Sequence, residues 1–293
     1  MSAANGSREV NGSAPVLIRH YTDPTCPFAF SSERQRLRLE WLYGEHIRWE
    51  LHMVVLGEEP NPALTPEVVS KSRRKFQLHY GMPIDWRPVE IGPSIAACRA
   101  VVAARLHAPA YEHALLRRLR VLHFASLDLD AETIDRAASE VGIVTGDLRG
   151  WLKDPRVETA LREDMKAARS PSPASRAQDY KLGGPDHERR YTCPSYELIR
   201  VTEPPADWHT AHRVDLPGYR PIEAYETALA NLAPELERRP DPESVQEVLE
   251  WAAIPVATAE VAAVCDREVA DVRTELARIA EFTPVGGDGY WAL

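Results

Sequence analysis

The stretch that most constrains the fold of this chain runs from Thr22 to Phe30 and reads T-D-P-T-C-P-F-A-F. It follows the apolar run at 16–18, which is typical of a short buried strand. From Cys26 onward apolar residues recur at helical spacing until Gly44, a residue that commonly follows a helix end. The sequence therefore predicts a strand, a turn and a helix, with Cys26 at the start of the helix.

The predicted position of Cys26 favours a reactive thiol. Unpaired N–H groups and the positive end of the helix dipole stabilise a thiolate, so the pKa should lie below about 8.5. Asp23 and Pro24 fit a turn, and Pro27 fits the first helical position. A free cysteine is alternatively a small apolar core residue, but the flanking prolines favour a nucleophile.

A second strand is predicted at 47–53, where apolar and polar residues alternate. A strand, helix and strand in this order predict two parallel strands and an α/β fold class. Ligands of such sheets bind beyond the carboxyl ends of the strands, which is where Cys26 falls.

The chain after Pro66 reads as almost wholly helical. The predicted helices are Glu67–Tyr80, Ile95–Leu106, Ala110–Phe124, Asp130–Val141 and Val157–Arg169. Cys98, in the alanine-rich second helix, is predicted to be a core residue. The basic residues of the first helix, Lys71 to Lys75, fit a solvated face, with attraction of an anionic thiol cofactor as the alternative.

A long loop is predicted from Ser170 to Arg190, because this stretch is rich in serine, proline and glycine. A strand around Tyr196 follows, then a turn at 203–207 and a hairpin partner at 211–216. Pro221 is predicted to start the next helix.

Three stretches resemble the DsbA family of thioredoxin-fold proteins, in its cytoplasmic FrnE-like branch. The stretch around Cys26 resembles the active-site opening D-P-x-C-P-[WF] of that family, and T-C-P-S at 192–195 occupies the position of its cis-proline loop. P-G-Y-R-P-I-E-A-Y-E-T-A-L resembles its closing segment. The family usually carries a second cysteine three residues after the first, where this chain has Ala29. The disulfide within the motif therefore cannot form.

The resemblance implies a thioredoxin-like fold with a large helical insertion, and Pro194 in cis beside Cys26. Together with the patterns above it predicts a disordered tail at 1–14, a thioredoxin-like domain at 15–60 and 170–239, and a helical insertion at 61–169. A C-terminal helix-turn-helix and hairpin module, similar to a winged helix, is predicted at 240–293.

Charge argues against nucleic acid as a partner. The net charge is −9 with a pI near 5.6, whereas phosphate binding needs clustered lysine and arginine. In the predicted second helix of the C-terminal module the arginines are outweighed by acidic residues. Packing, or formation of a homodimer, is the favoured role of this module.

Several other classes of protein find no support in the sequence. No apolar run approaches the roughly eighteen residues that span a membrane, and the first fifteen residues lack the apolar segment of a signal peptide, so we expect a cytoplasmic protein. Four cysteines are too few for a disulfide framework. No metal-binding spacing occurs, so no metal is expected. His20 either tunes the Cys26 thiolate or is a satisfied, partly buried histidine, and the second interpretation is favoured.

The favoured function is a thiol-disulfide oxidoreductase or a transferase that depends on a low-molecular-weight thiol. Cys26 would be the nucleophile beside the loop Thr192-Cys193-Pro194, with Pro27 and Phe28 in support. We expect no covalent cofactor, but glutathione or mycothiol as a thiol partner, and a disulfide-containing or electrophilic small molecule or protein as substrate. The alternatives are a thiol-dependent isomerase of the 2-hydroxychromene-2-carboxylate isomerase type and a redox-inactive binding protein.

Cys193 is the unusual residue of the second loop, because the resemblance implies that this position faces the active-site sulfur. We therefore expect Cys26 and Cys193 to lie close together. Three outcomes follow: a reversible disulfide with Cys193 as the resolving thiol, a two-sulfur site for a soft metal ion, or two thiols that share one negative charge. The alternative to all three is a buried, inert Cys193.

Overall fold

The computed structural model describes residues 14–201 and 212–293. Of the predicted tail only Ala14 is described, and it is buried. The predicted turn at 203–207 and the first residue of its hairpin partner lie outside the described residues.

A four-stranded mixed sheet lies at the centre of the chain, in the order β2-β1-β3-β4. The strands are β1 (Val16–Thr22), β2 (Ile47–Met53), β3 (Ser195–Arg200) and β4 (Arg213–Leu216). β1 and β2 are parallel, as the intervening helix predicted, whereas β3 is antiparallel to both of its neighbours. This is the α/β class that the sequence patterns predicted and the thioredoxin-like arrangement that the resemblance implied.

The predicted first helix is divided into α1 (Pro27–Ser31) and α2 (Glu33–Tyr43). At the break, the hydroxyl of Ser32 donates to the carbonyl oxygen of Ala29 at 2.8 Å. That carbonyl would otherwise accept the N–H of Glu33, so the serine side chain competes with the helical hydrogen bond. Gly44, at φ +39°, ends α2 as predicted.

The region between β2 and β3 is mainly helical. Its helices are α3 (Pro66–Tyr80), α4 (Ile95–His107), α5 (Glu112–Phe124), α6 (Ala131–Glu140), α7 (Thr145–Trp151), α8 (Pro155–Ala168) and the short α9 (Pro173–Arg176). Five of these match predicted helices. Two were not predicted: α7 has only seven residues and contains Gly146 and Gly150, and α9 is a four-residue helix within the predicted loop Ser170–Arg190.

The larger helices of this region bury their apolar faces against the end of β2. Leu51 and Met53 share one hydrophobic cluster with α4, α5, α6 and α8. Cys98 belongs to this cluster and is fully buried, as predicted for a core residue. The helical region therefore packs on the sheet instead of standing apart from it.

The C-terminal region has the element order of a winged helix. After α10 (Ile222–Leu232), which packs on β3 and β4, come α11 (Val245–Ala252), β5 (Val256–Ala257), α12 (Thr258–Cys265), α13 (Val269–Ile279), β6 (Glu281–Val285) and β7 (Asp288–Ala292). The last three strands form a sheet in the order β5-β7-β6. The sequence analysis missed β5, which has only two residues.

This C-terminal module shares its core with the central sheet. Trp41 and Leu42 of α2 lie in one hydrophobic cluster with Val261 of α12 and Trp291 of β7. Arg117 of α5 adds a buried ion pair to Glu260 of α12, at 2.6 Å. The four-part division of the chain remains a prediction, and buried contacts join the C-terminal module to both the central sheet and the helical region.

Candidate active site

A buried carboxylate holds the turn between β1 and α1. Asp23 is fully buried, and its Oδ1 accepts hydrogen bonds from the backbone and the hydroxyl of Thr25, at 2.8 and 2.7 Å. Its Oδ2 accepts from the backbone N–H of Leu56 and the hydroxyl of Ser94, at 2.8 and 2.7 Å. The turn is thus fastened to the segment after β2 and to the start of α4.

Sequence reasoning had assigned Asp23 only to a turn. A signal for its wider role was present, because an aspartate at a turn commonly bonds the backbone two residues later, as it does here to Thr25. Its contacts to Leu56 and Ser94 carry no local signal, since those residues are 33 and 71 positions away.

Cys26 is the residue immediately before α1 and has extended backbone angles, φ −78° and ψ 116°. It is 5% exposed, and its thiol donates to the carbonyl oxygen of Cys193 at 3.2 Å. The backbone N–H groups of Ala29 and Phe28 form hydrogen bonds to the Cys26 sulfur. The predicted helix-start position of Cys26 is therefore the observed one.

The second loop of the predicted site lies across from Cys26. The Cys193–Pro194 peptide bond is cis, the isomer that the resemblance implied. The hydroxyl of Thr192 donates to the carbonyl of Lys181 at 2.8 Å, and the hydroxyl of Ser195 donates to the carbonyl of Thr192 at 2.6 Å. These bonds position the loop and bring Cys193 to Cys26.

The two thiols have pKa values displaced in opposite directions. Burial raises the pKa of Cys26, but hydrogen bonds from the Cys193 thiol and from the N–H groups of Ala29 and Phe28 outweigh it and hold that pKa below its ordinary value. Burial, the hydrogen bond to Cys26 and the negative charges of Cys26 and Asp23 raise the pKa of Cys193 well above its ordinary value. The pair therefore favours a thiolate at Cys26 and a neutral thiol at Cys193.

Apolar side chains enclose both sulfurs. The cluster around them consists of Tyr21, Ala29, Val54, Ala168, Leu182 and Tyr191. Tyr21 and Tyr191 stack with their ring centroids 4.2 Å apart. Little water can enter such a cluster, so the hydrogen bonds to the Cys26 sulfur act in a low-dielectric environment.

Phe28, the second residue after Cys26, is 41% exposed. Its ring meets Phe76 edge-on at 4.6 Å and lies 6.1 Å from Tyr80 and 6.3 Å from Tyr219. The Arg34 guanidinium donates to the hydroxyl of Tyr219 at 2.8 Å. The sequence analysis found Phe28 but missed this aromatic rim, although the four-residue spacing of Phe76 and Tyr80 places both on one helical face.

His20 does not support the thiolate. Neighbouring residues of a strand point to opposite faces, and Tyr21 is the residue that faces the two sulfurs. His20 is buried on the other face, where its ring stacks on Tyr196 at 4.4 Å. Both ring nitrogens lack a hydrogen-bond partner, so the predicted satisfied, partly buried histidine is also wrong. Burial lowers the pKa of His20 well below its ordinary value, and the ring is neutral.

The other two cysteines are separate from the pair. The Cys98 thiol donates to Oδ2 of Asp23 at 3.6 Å, and burial together with that carboxylate raises the pKa of Cys98. Cys265 ends α12 in a different hydrophobic cluster, and burial raises its pKa to about 11. Within residues 14–201 and 212–293, no set of three or more histidine, cysteine, aspartate or glutamate side chains could hold a metal ion.

Comparison with known proteins agrees with this geometry. A family model described as the DSBA-like thioredoxin domain matches residues 17–172, which is more than half of the chain. The chain belongs to this family. The match to the DSBA-like family includes Cys26 and ends before Cys193, so the second loop rests on the structure described above. A search of curated protein sequences found no significant match.

Solved structures with the same fold include three bacterial proteins. A candidate protein disulfide isomerase from Nitrosomonas europaea has a TM-score of 0.56 and 13% identity, covering 74% of this chain and 96% of its own. A probable DsbA oxidoreductase from Streptomyces coelicolor has a TM-score of 0.53 and 15% identity, and the match covers 77% of this chain and 92% of that protein. The cytosolic disulfide reductase DsbM from Pseudomonas aeruginosa has a TM-score of 0.51 and 13% identity, and the match covers 74% of this chain and 100% of that protein. Identities this low show the thioredoxin-like fold of the DSBA-like protein and nothing finer.

Among the described residues, no helix combines the length and the apolar character needed to cross a bilayer.

Proposed function

We propose that this DSBA-like protein catalyses thiol-disulfide exchange with Cys26 as the nucleophile. The observation that carries the proposal is the setting of the Cys26 sulfur, which faces the Cys193 thiol and two backbone N–H groups in an apolar enclosure. These donors favour the thiolate, which is the form of cysteine that attacks disulfides.

In the proposed reaction the Cys26 thiolate attacks one sulfur of a substrate disulfide. The substrate S–S bond breaks, one half leaves as a thiolate, and the other half stays joined to Cys26 as a mixed disulfide. Ala29 stands where the family usually has its second thiol, so this residue cannot release the mixed disulfide. A low-molecular-weight thiol such as glutathione or mycothiol is the proposed reductant, and no covalent cofactor is needed.

The aromatic rim suggests which disulfides are preferred. Phe28 is the exposed side chain closest in sequence to Cys26, and Phe76, Tyr80 and Tyr219 extend its apolar surface. A disulfide flanked by apolar or aromatic groups can bury area there while its sulfur reaches Cys26. Both a small molecule and a protein segment meet this description.

A transferase that joins a low-molecular-weight thiol to an electrophile is the second candidate, and the isomerase predicted from the sequence would use the same thiol partner. Ala29 favours this class, because the motif lacks the second cysteine that usually releases a mixed disulfide. The exchange reaction is favoured because the Cys193 thiol is hydrogen-bonded to the Cys26 sulfur. The predicted cytoplasmic location, the homodimer and the absence of nucleic acid as a partner all remain proposals.

Alkylation of the thiols as a function of pH tests the nucleophile. Iodoacetamide reacts with thiolates, so at pH 7 we expect Cys26 to be modified more than about tenfold faster than Cys98 and Cys265, a ratio that corresponds to a pKa difference of at least one unit. The rate at Cys26 should fall only at pH values below the ordinary range of a free cysteine. Equal, slow modification of all three cysteines would instead support a redox-inactive binding protein.

A further inference from the structure

The other three cysteines differ in their relation to Cys26, and one of them shares its hydrophobic cluster. Cys193 lies in the same apolar cluster, and its carbonyl oxygen is 3.2 Å from the Cys26 sulfur. The Cys98 thiol bonds to Asp23 and belongs to the hydrophobic cluster of the helical region, and Cys265 lies in a third cluster. Since Ala29 cannot act, Cys193 is the one thiol of the chain in position to attack a mixed disulfide at Cys26.

We infer that Cys193 is the resolving thiol of this site and that the two loops form a reversible disulfide in place of the usual bond within the motif. This role rests on the nucleophilic role proposed for Cys26. It makes the residue before the cis-proline a catalytic residue, because its sulfur joins the reacting atoms.

The Cys26 thiolate takes one half of the substrate disulfide and releases the other half as a thiolate. The Cys193 sulfur then attacks the Cys26 sulfur, breaks the mixed disulfide and forms the Cys26–Cys193 bond. The second half of the substrate leaves as a thiol with the Cys193 proton. The substrate is reduced by two electrons, the protein is oxidised by two, and two low-molecular-weight thiols restore the resting enzyme.

The electrostatics of the two thiols determine which of these two steps comes first. In the resting site Cys193 is neutral, partly because of its hydrogen bond to the Cys26 thiolate and the charge of that thiolate. Once Cys26 is joined to the substrate it carries no charge, and both of these causes disappear. Burial and the charge of Asp23 still raise the pKa of Cys193, and the positive charge of Arg190 still lowers it. The resolving thiol thus becomes easier to ionise only after the first step has taken place.

Trapping of the reaction with a small disulfide tests this inference. Reduced protein is mixed with bis(2-hydroxyethyl) disulfide, quenched with acid, alkylated, digested and analysed by mass spectrometry. We expect a Cys26–Cys193 linked peptide in the wild type and in Cys265→Ser, which changes a buried cysteine outside the site. In Cys193→Ser the linked peptide should be absent, and the mixed disulfide at Cys26 should rise at least about tenfold over the wild type.

The outcomes separate the two proposals. If the wild type accumulates as much mixed disulfide as Cys193→Ser, Cys193 is a spectator and the inference is overturned, although the nucleophile stands. If neither protein forms an adduct at Cys26, the proposed function itself fails.

A second readout tests the hydrogen bond between the two sulfurs separately from the resolving role of Cys193. Serine keeps a donor toward the Cys26 thiolate, whereas alanine removes it. The pH profile of Cys26 alkylation should therefore shift to higher pH in Cys193→Ala and much less in Cys193→Ser. Identical profiles in both variants and the wild type would contradict the pairing of the two sulfurs.

Discussion

At the scale of single residues, Asp23 connects the chemistry to the fold. A buried carboxylate is costly unless it is paired or hydrogen-bonded, and here four donors from Thr25, Leu56 and Ser94, joined by the Cys98 thiol, satisfy it. Its negative charge works against the nucleophile, because it raises the pKa of Cys26. The residue that builds the turn thus limits how acidic the thiol becomes.

Asp23→Asn should separate these two effects. Removal of the charge should lower the pKa of Cys26 further, while the amide turns an N–H₂ group toward existing donors and costs about 1–3 kcal/mol of unfolding free energy. Thiolate absorbance measured against pH reports the first effect, and urea unfolding reports the second. A higher Cys26 pKa in the variant would mean that Asp23 acts through the position of the turn and not through its charge.

At the scale of elements, the hairpin of β6 and β7 packs against the segment that follows α3. Gly286 has φ +58°, and a Cβ atom there would lie 1.9 Å from the carbonyl oxygen of Ile84. Ile84 shares a hydrophobic cluster with Phe30 of α1 and Tyr290 of β7. The turn that would be the wing of a DNA-binding module therefore contacts the body of the protein at Ile84, although its two glycines, Gly286 and Gly287, are exposed.

Gly286→Ala should displace this hairpin. The left-handed backbone angle and the contact with Ile84 together should cost more than about 2 kcal/mol of unfolding free energy, measured by chemical denaturation. Gly150→Ala is the matched control, because Gly150 is an exposed helical glycine of α7 with open space around its Cβ position. That control should be neutral or stabilising by up to about 1 kcal/mol. Equal effects of the two substitutions would show that the hairpin is not docked.

At the scale of the whole molecule, buried charges join three parts of the chain. The Arg117 guanidinium of α5 donates two hydrogen bonds to Glu260 of α12, at 2.6 and 2.9 Å, and lies 3.5 Å from Glu33 of α2. Glu33 is also paired with Arg36 and Arg120, and these arginines hold its pKa below the ordinary range despite its burial. The helical region, the sheet domain and the C-terminal module therefore share one ionic network.

Arg117→Met should destabilise the whole protein by about 3–5 kcal/mol, because it leaves the Glu260 carboxylate buried without its partner. Arg118→Met, which removes a more exposed pair with Glu140, should cost at most about 1 kcal/mol. Calorimetry of both variants and the wild type checks this, and we expect one cooperative transition in each. A separate transition of the C-terminal region in the wild type would contradict the shared network.

The elements of this fold followed from local patterns in the sequence. Period-two alternation placed β2, helical spacing placed five of the helices, and the prolines around Cys26 placed the thiol at a helix start. These signals work because the neighbouring residues of an element decide which of its faces is buried. Where an element is short or rich in glycine, as in β5 and α7, the pattern has too few residues to be read.

Other features were decided only by tertiary structure. The contacts of Asp23 to Leu56 and Ser94, and the burial of His20 against Tyr196, join residues that are far apart in the chain. The pairing of Cys26 with Cys193 spans 167 positions and could be anticipated only through a family resemblance. Local pattern alone establishes that Cys26 starts a helix. Its pKa depends on which groups the folded chain brings to the sulfur, because burial and hydrogen bonding act through space and not along the sequence.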